Sequence, residues 1–332
     1  MNKTLLAAAL TLAAILLLPL SVTAAEKASP PVKAADVDAL KKAAEEGDAE
    51  SQRKLGDCYF EGKVIDLDYG EAVKWYKKAA ESGDAEAMNS LGGCHFLGNG
   101  VKADPAEARK WYEKAAEKGN EHAMINLALI CEKGIGTPKS PEKAAEWLKK
   151  AAEKGNPQAQ QKLALFYERG IGVEQNSEEA VKWLKKAAES DYGPAQFDLA
   201  VCYHEGNGIE QNYGEAFKWY KKAAEHGNPA VQHALANCYY EGIGVEQNRA
   251  EAAKWFRKAA QQGFVPSQTF LGICCAVGID GKPDYEEAVK WLFKAAAAGD
   301  ENAFQALQVM AEKKCAPAVE ALKKLENRLE KS

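Results

Sequence analysis

Beyond its first 25 residues the chain has no apolar run long enough to cross a bilayer, which excludes a polytopic helical membrane protein. Basic charge is not in excess either. Lys and Arg number 43 against 48 Asp and Glu, a formal net charge of −5, and the two signs are interleaved. No basic stripe is left for nucleic acid. Histidine is scarce, at five residues, and no C-x-x-C, H-x-x-x-H or H-E-x-x-H spacing occurs. No metal site and no cofactor are therefore expected. There is no G-x-S-x-G and no phosphate-binding Walker A loop. Asp66-x-Asp68-x-Gly70 starts like a calcium loop, but Lys77 stands where the bidentate glutamate is needed.

What the chain does have is a ladder. Its seven tryptophans, Trp75, Trp111, Trp147, Trp183, Trp219, Trp255 and Trp291, stand 36 residues apart. Leucine keeps the same interval at 55, 91, 127, 163, 199, 235, 271 and 307. A fixed period of this size means one unit copied in tandem, with neighbours sharing a continuous core. Each unit divides into two helices. Ala87, Leu91 and His95 recur at i, i+4 and i+8 on one face of a first helix, A. A glycine pair such as Gly170-Ile171-Gly172 ends it and allows positive φ.

A second helix, B, begins after Asp68, Asp104, Ser140, Asn176, Asn212, Asn248 or Asp284, all good N-caps. Three residues on, glutamate completes a capping box in six of the seven copies. Helix B carries the tryptophan and a Lys-Ala-Ala run, and stops at a glycine except at Asp191. The next A helix is capped by Asp48, Asp84, Asn120, Asn156, Asn228 or Asp300, while Tyr192 and Phe264 replace the polar cap in two copies. The tryptophans are expected to pack between neighbouring copies and to touch no partner.

Residues 1–25 read as a cleaved secretory signal: Lys3, an apolar run from Leu5 to Leu20, then Val22-Thr23-Ala24-Ala25. A periplasmic or secreted location follows, with no stable membrane insertion after cleavage. Residues 26–35 read as a flexible leader, 36–47 as an N-terminal half-repeat helix, 48–299 as seven repeats and 300–332 as C-terminal capping helices.

The pattern A-x-x-x-L-G-x-x-Y-x-x-G-x-G-V, a cap, then E-A-x-x-W-Y-x-K-A-A-x-x-G, resembles the Sel1-like repeat. Ala195 to Tyr203, Gly206, Gly208, Glu215 to Ala224 and Gly227 form one good copy. The resemblance, over about 48–306, implies an all-α fold, a right-handed α/α solenoid related to tetratricopeptide repeats. It also implies an adaptor role, with a protein or peptide partner held on a concave wall of A helices, and a monomer is expected. Carried over by register, the partner-binding residues are Phe60, Asn89, Phe96, Ile125, Leu129, Phe197, His204, His233, Asn237 and Tyr240, beside Glu61, Leu97, Gln161 and Arg169. His204 and His233 are expected to approach each other across neighbouring copies and to make binding sensitive to pH.

The alternative is a weak penicillin-binding or β-lactam-hydrolysing protein, resembling the secreted Helicobacter cysteine-rich branch. Two S-x-x-K tetrads exist, Ser51 to Lys54 and Ser140 to Lys143, without S-D-N or K-T-G. That branch carries a second cysteine per repeat, which this chain lacks. Of its eight cysteines, Cys58, Cys94, Cys202, Cys238 and Cys274 share one position on helix A. Stacked copies lie roughly 8–10 Å apart, beyond the reach of a disulfide, so these read as buried small hydrophobes. Cys275 and Cys315 are the one pair worth testing for a bridge.

Overall fold

The computed structural model describes residues 36–278 and 282–329; the signal and leader segments lie outside them. Seventeen α-helices and no strand occur among the described residues. A front helix, α1 (Val37–Glu45), precedes seven A/B pairs. These are α2 (Ala49–Glu61) and α3 (Tyr69–Glu81), α4 (Ala85–Leu97) and α5 (Pro105–Glu117), α6 (Glu121–Lys133) and α7 (Pro141–Glu153), and α8 (Pro157–Arg169) and α9 (Ser177–Glu189). Then follow α10 (Gly193–Glu205) and α11 (Tyr213–Glu225), α12 (Pro229–Glu241) and α13 (Arg249–Gln261), and α14 (Val265–Val277) and α15 (Tyr285–Ala297). Helices α16 (Glu301–Glu312) and α17 (Ala316–Leu329) close the chain. The helices form two compact units, one up to Ala187 and one from Ala188.

The caps act as their side chains dictate. Each B-helix cap accepts from the N–H three residues on, as in Asp68 from Glu71 at 3.0 Å and Asn248 from Glu251 at 2.9 Å. The second half of the capping box is not made. The cap's own N–H instead donates to a carbonyl nine residues earlier on helix A, Tyr59 for Asp68 and Tyr239 for Asn248. That bond ties the A–B loop shut. The glutamates released from capping pair with a lysine one turn on, as in Lys110–Glu107 and Lys254–Glu251, both 2.8 Å. Tyr192 and Phe264 make no side-chain cap. Asp191, standing where other copies have glycine, takes φ 60.

The second glycine of each A–B turn has a separate reason. A Cβ on Gly100, Gly172 or Gly244 would strike the backbone of Tyr69, Pro141 or Tyr213, the first residue of the preceding B helix. Successive copies therefore meet backbone to backbone at this point, and only glycine fits.

The residue after each tryptophan, rather than the tryptophan, fills the centre of the pair. Tyr76, Tyr112, Leu148, Leu184, Tyr220, Phe256 and Leu292 are all buried, with Phe256 at 0% exposure. Among the tryptophans only Trp183 and Trp291 are buried, at 7% and 5%. The rings lie between copies: Trp255 packs on the Tyr220 core of the previous repeat and Trp291 on the Phe256 core. The outer ring face is covered by the lysine three residues on, with Nζ 3.8–4.6 Å from the ring centroid in all seven copies. A cationic head over an aromatic face stays hydrated while its stem shields the ring.

Buried glutamine is a further tie, which the sequence reading missed. Gln52, Gln160, Gln196 and Gln268 reach back eight residues and donate to the last-turn carbonyls of Ala44, Ala152, Ala188 and Ala260 at 3.0–3.3 Å. Gln232 in the same series accepts from Gln262 at 2.8 Å. Met88 and Met124 fill the slot in the other two copies, also buried.

Candidate partner-binding face

The A helices present three kinds of position besides the core, and the proposed binding residues fall on all three. The first runs through Arg53, Asn89, Ile125, Phe197, His233 and Thr269, and it faces the next copy. Arg53 Nε lies 3.4 Å from Asp84. Asn89 Oδ1 accepts from Asn126 at 3.0 Å, and His233 Nδ1 lies 2.9 Å from Ser267 Oγ. Ile125 is only 7% exposed. It is a packing residue, as is His233, whose ring sits 5.2 Å from Phe256 and 5.5 Å from Phe264. Burial pushes the His233 pKa down to about 4.

The second position holds Phe60, Phe96, His204 and Tyr240, all half-buried. It leans on the start of the B helix in the same copy. Phe60 meets the Tyr69 ring at 5.1 Å, His204 meets Tyr213 at 5.2 Å, and the Arg249 guanidinium lies 5.8 Å over Tyr240. His204 and His233 do not come together: each is enclosed by its own aromatic neighbours. The paired-histidine expectation is thus corrected. Phe197 and His204, seven residues apart, share one face of α10 and both lie against Tyr220, so His204 stands near the end of its helix and His233, in the Phe197 register, near the start of α12.

The third kind of position is the free face, and two of the ten residues, Leu129 and Asn237, occupy it half-buried. The same register carries Leu165, 36% exposed, and Ile273, 41% exposed. One turn further along, Leu97 is 43% exposed and Val277 64%. Leu97 is among the sequence candidates; Leu165, Ile273 and Val277 are not. Their spacing from Leu129 and from Leu97, 36 residues or a multiple of it, is the signal that could have found them.

The one Ser–His contact named, Ser267 Oγ with His233 Nδ1 at 2.9 Å, is closed off because Ser267 is 0% exposed, and neither S-x-x-K serine hydroxyl is bonded to its lysine ammonium. The Lys54 ammonium of the first S-x-x-K tetrad bonds Glu50 at 2.7 Å, and the Ser51 N–H donates to the Asp48 cap. Ser140 caps α7 and its hydroxyl donates to Glu142 at 3.1 Å. Cys58, Cys94, Cys131, Cys238 and Cys274 are buried, and burial pushes the Cys94 and Cys238 thiols up to about 12. Cys275 and Cys315 pack against one C-terminal cluster without a bridge between them. No group of three or more His, Cys, Asp or Glu side chains is placed to hold a metal among the described residues. Nor is any helix there long and apolar enough to cross a membrane.

Comparison with known proteins agrees with this geometry. The Sel1 repeat model matches residues 49–84, 85–120, 121–156, 157–192, 193–228, 229–264 and 265–300. A solved protective antigen present in uropathogenic Escherichia coli strains, displaying an SLR fold, is 32% identical over 88% of this chain, with a TM-score of 0.77. This chain spans 64% of that antigen's length. A Sel1 repeat protein from Oxalobacter formigenes is 38% identical over 82% of this chain and 79% of its own, with a TM-score of 0.68. No curated protein matches. With seven consecutive matched repeats and an all-α solenoid of helix pairs to carry them, the chain belongs to the Sel1 repeat family.

Proposed function

We propose that the protein is an exported scaffold that binds a protein or peptide partner along the free face of its A helices. One observation carries this reading. The repeat A helices have four large apolar side chains more than a third exposed, Leu97, Leu165, Ile273 and Val277, and all four stand on that face. The other faces of the same helices are occupied by helix B or by the next copy. Apolar side chains that no internal neighbour covers are the anchors an interface uses. The variation from copy to copy at these positions gives partner discrimination, because the scaffold itself is fixed by other registers.

Export belongs to this proposal. Residues 1–25 have the charge, apolar run and small-residue end of a cleaved signal. The mature chain would start after Ala24 or Ala25, and N-terminal sequencing of protein recovered from the envelope or medium tests it. For the binding face, a photo-crosslinking residue placed at Ile273 or Leu165 should give a discrete adduct in the native envelope fraction. The same group at Lys110, on an outward B-helix position, should give none. Equal labelling from both faces, or no adduct from either A-helix position, would remove the proposal.

A further inference from the structure

Charge is not spread evenly along the free face in the N-terminal unit. Its first two A helices, α2 and α4, carry Glu50, Asp57, Glu61 and Glu86 there. Lys54, the lone lysine among them, is already held by Glu50 at 2.7 Å. The next two, α6 and α8, carry Lys133, Lys162 and Arg169 and no carboxylate at the same registers. Between these cations lie Leu129 and the partly exposed Leu165.

Lys162 is the telling member. It is only partly exposed and has no ion-pair or hydrogen-bond partner among the described residues. Burial holds its ammonium below the usual lysine range; Glu132 opposes that shift and Lys133 adds to it. Lys162 and Lys133 are therefore close enough to repel, although they come from successive copies. Glu132, the nearest carboxylate named, is bonded to Lys133 at 3.0 Å. A partly desolvated cation without a counter-charge is costly. Lys182, paired with Glu179 one turn away, and Lys186, lying over Trp183, show the two ways other repeat lysines are accommodated.

We infer that the free face of α6 and α8 is the docking site for an acidic protein segment, whose carboxylates meet Lys133, Lys162 and Arg169 and whose apolar side chains meet Leu129 and Leu165. This rests on the scaffold reading above and names the chemistry of its partner. Complementary charge fixes register and speeds encounter, while the leucines supply contact area. A nucleic acid is the poorer fit. It asks for a long basic track and rings on which bases stack, and this patch has three cations, two leucines and no aromatic.

The test uses the full mature chain and fluorescently labelled ten-residue peptides in a polarisation assay. One panel alternates Glu or Asp with Leu, a second replaces every acid by its amide, a third carries Lys in place of the acids. A single-stranded ten-nucleotide DNA is the fourth probe. The acidic panel should bind at least tenfold more tightly than the amide panel, and weaken as salt rises. Lys162→Met should lower that affinity about tenfold, Arg169→Gln several-fold, and Glu241→Gln in the C-terminal unit less than twofold. A thermal melt of each variant shows that the fold is retained, and Arg169, being exposed, gives a variant with no core to disturb.

Equal binding of acidic and amide peptides, or undiminished binding by both variants, would overturn this inference and leave the scaffold reading standing. Preference for the DNA would overturn it in favour of a nucleic acid. No binding by any peptide would count against the inference and the scaffold reading together.

Discussion

Gln160 reaches back to its predecessor repeat, its Nε2 donating to the carbonyl oxygen of Ala152 at 3.1 Å from a fully buried position. The bond gives a second donor to a last-turn carbonyl of α7 that also accepts from the Gly155 N–H at 3.0 Å, and so ties the two copies together. Gln160→Ala loses it, opens a small cavity and leaves that carbonyl with the Gly155 N–H alone. The expected cost is about 2 kcal/mol. Gln160→Met should cost clearly less, because Met88 and Met124 fill the equivalent slot in other copies. Chemical denaturation of the two variants checks the order; a methionine variant as weak as the alanine one would contradict it.

Trp255 and Phe256 are neighbours in sequence with unequal burdens. Phe256 is wholly enclosed, its ring 4.3 Å from Phe270, whereas Trp255 is partly exposed under the Lys258 ammonium. Phe256→Ala should cost about 3–5 kcal/mol. Trp255→Ala should cost less than half of that, since much of its ring is covered only by a solvated side chain. Denaturation midpoints at matched m-values measure both.

Gly172 and Gly155 both have positive φ, at 66 and 101. A Cβ at Gly155 meets nothing, whereas one at Gly172 runs into the Pro141 carbonyl. Gly155→Ala should cost about 1 kcal/mol from backbone strain alone. Gly172→Ala should cost at least about 2 kcal/mol more, because two copies must separate to admit it. Comparable destabilisation of the two variants would show that the inter-copy contact is unimportant.

His233 gives the fold a pH dependence of predictable sign. Its folded pKa, about 4, lies below the ordinary 6.5, and none of its closest neighbours, Phe256, Phe264 and Ser267, is charged. The unfolded chain binds the proton more readily. The stability His233 contributes is therefore complete above pH 6.5 and is lost as pH falls toward 4, by on the order of 3 kcal/mol. His233→Gln should flatten stability over this window. Stability measured at pH 7 and pH 4.5 for both proteins decides it.

The period, the helix pairs and their caps were legible in the sequence because each rests on local chemistry. Asp68 or Asn248 caps a helix whatever surrounds it, and a glycine at Gly170 ends one. The proposed binding face is harder to read, because several A-helix positions vary from copy to copy and variation alone does not say which way a side chain points. Ile125 and His233 vary because each packs against a slightly different next repeat. Phe60 and Tyr240 vary with the residue that starts the B helix, Tyr69 or Arg249. The glutamine tie was present in the sequence as Gln52, Gln160, Gln196, Gln232 and Gln268, multiples of 36 apart. Its meaning depended on knowing that position to lie against the previous B helix.

Hydrogen exchange on the purified mature chain, with and without a peptide selected on it from a random library, tests the binding face most directly. Protection should gather on the A helices around Leu97, Leu129, Leu165, Ile273 and Val277, and replacing Leu165, Ile273 and Val277 together by serine should reduce affinity at least tenfold. Protection confined to the B helices around the Lys–Trp pairs, with affinity unchanged by those serines, would contradict it.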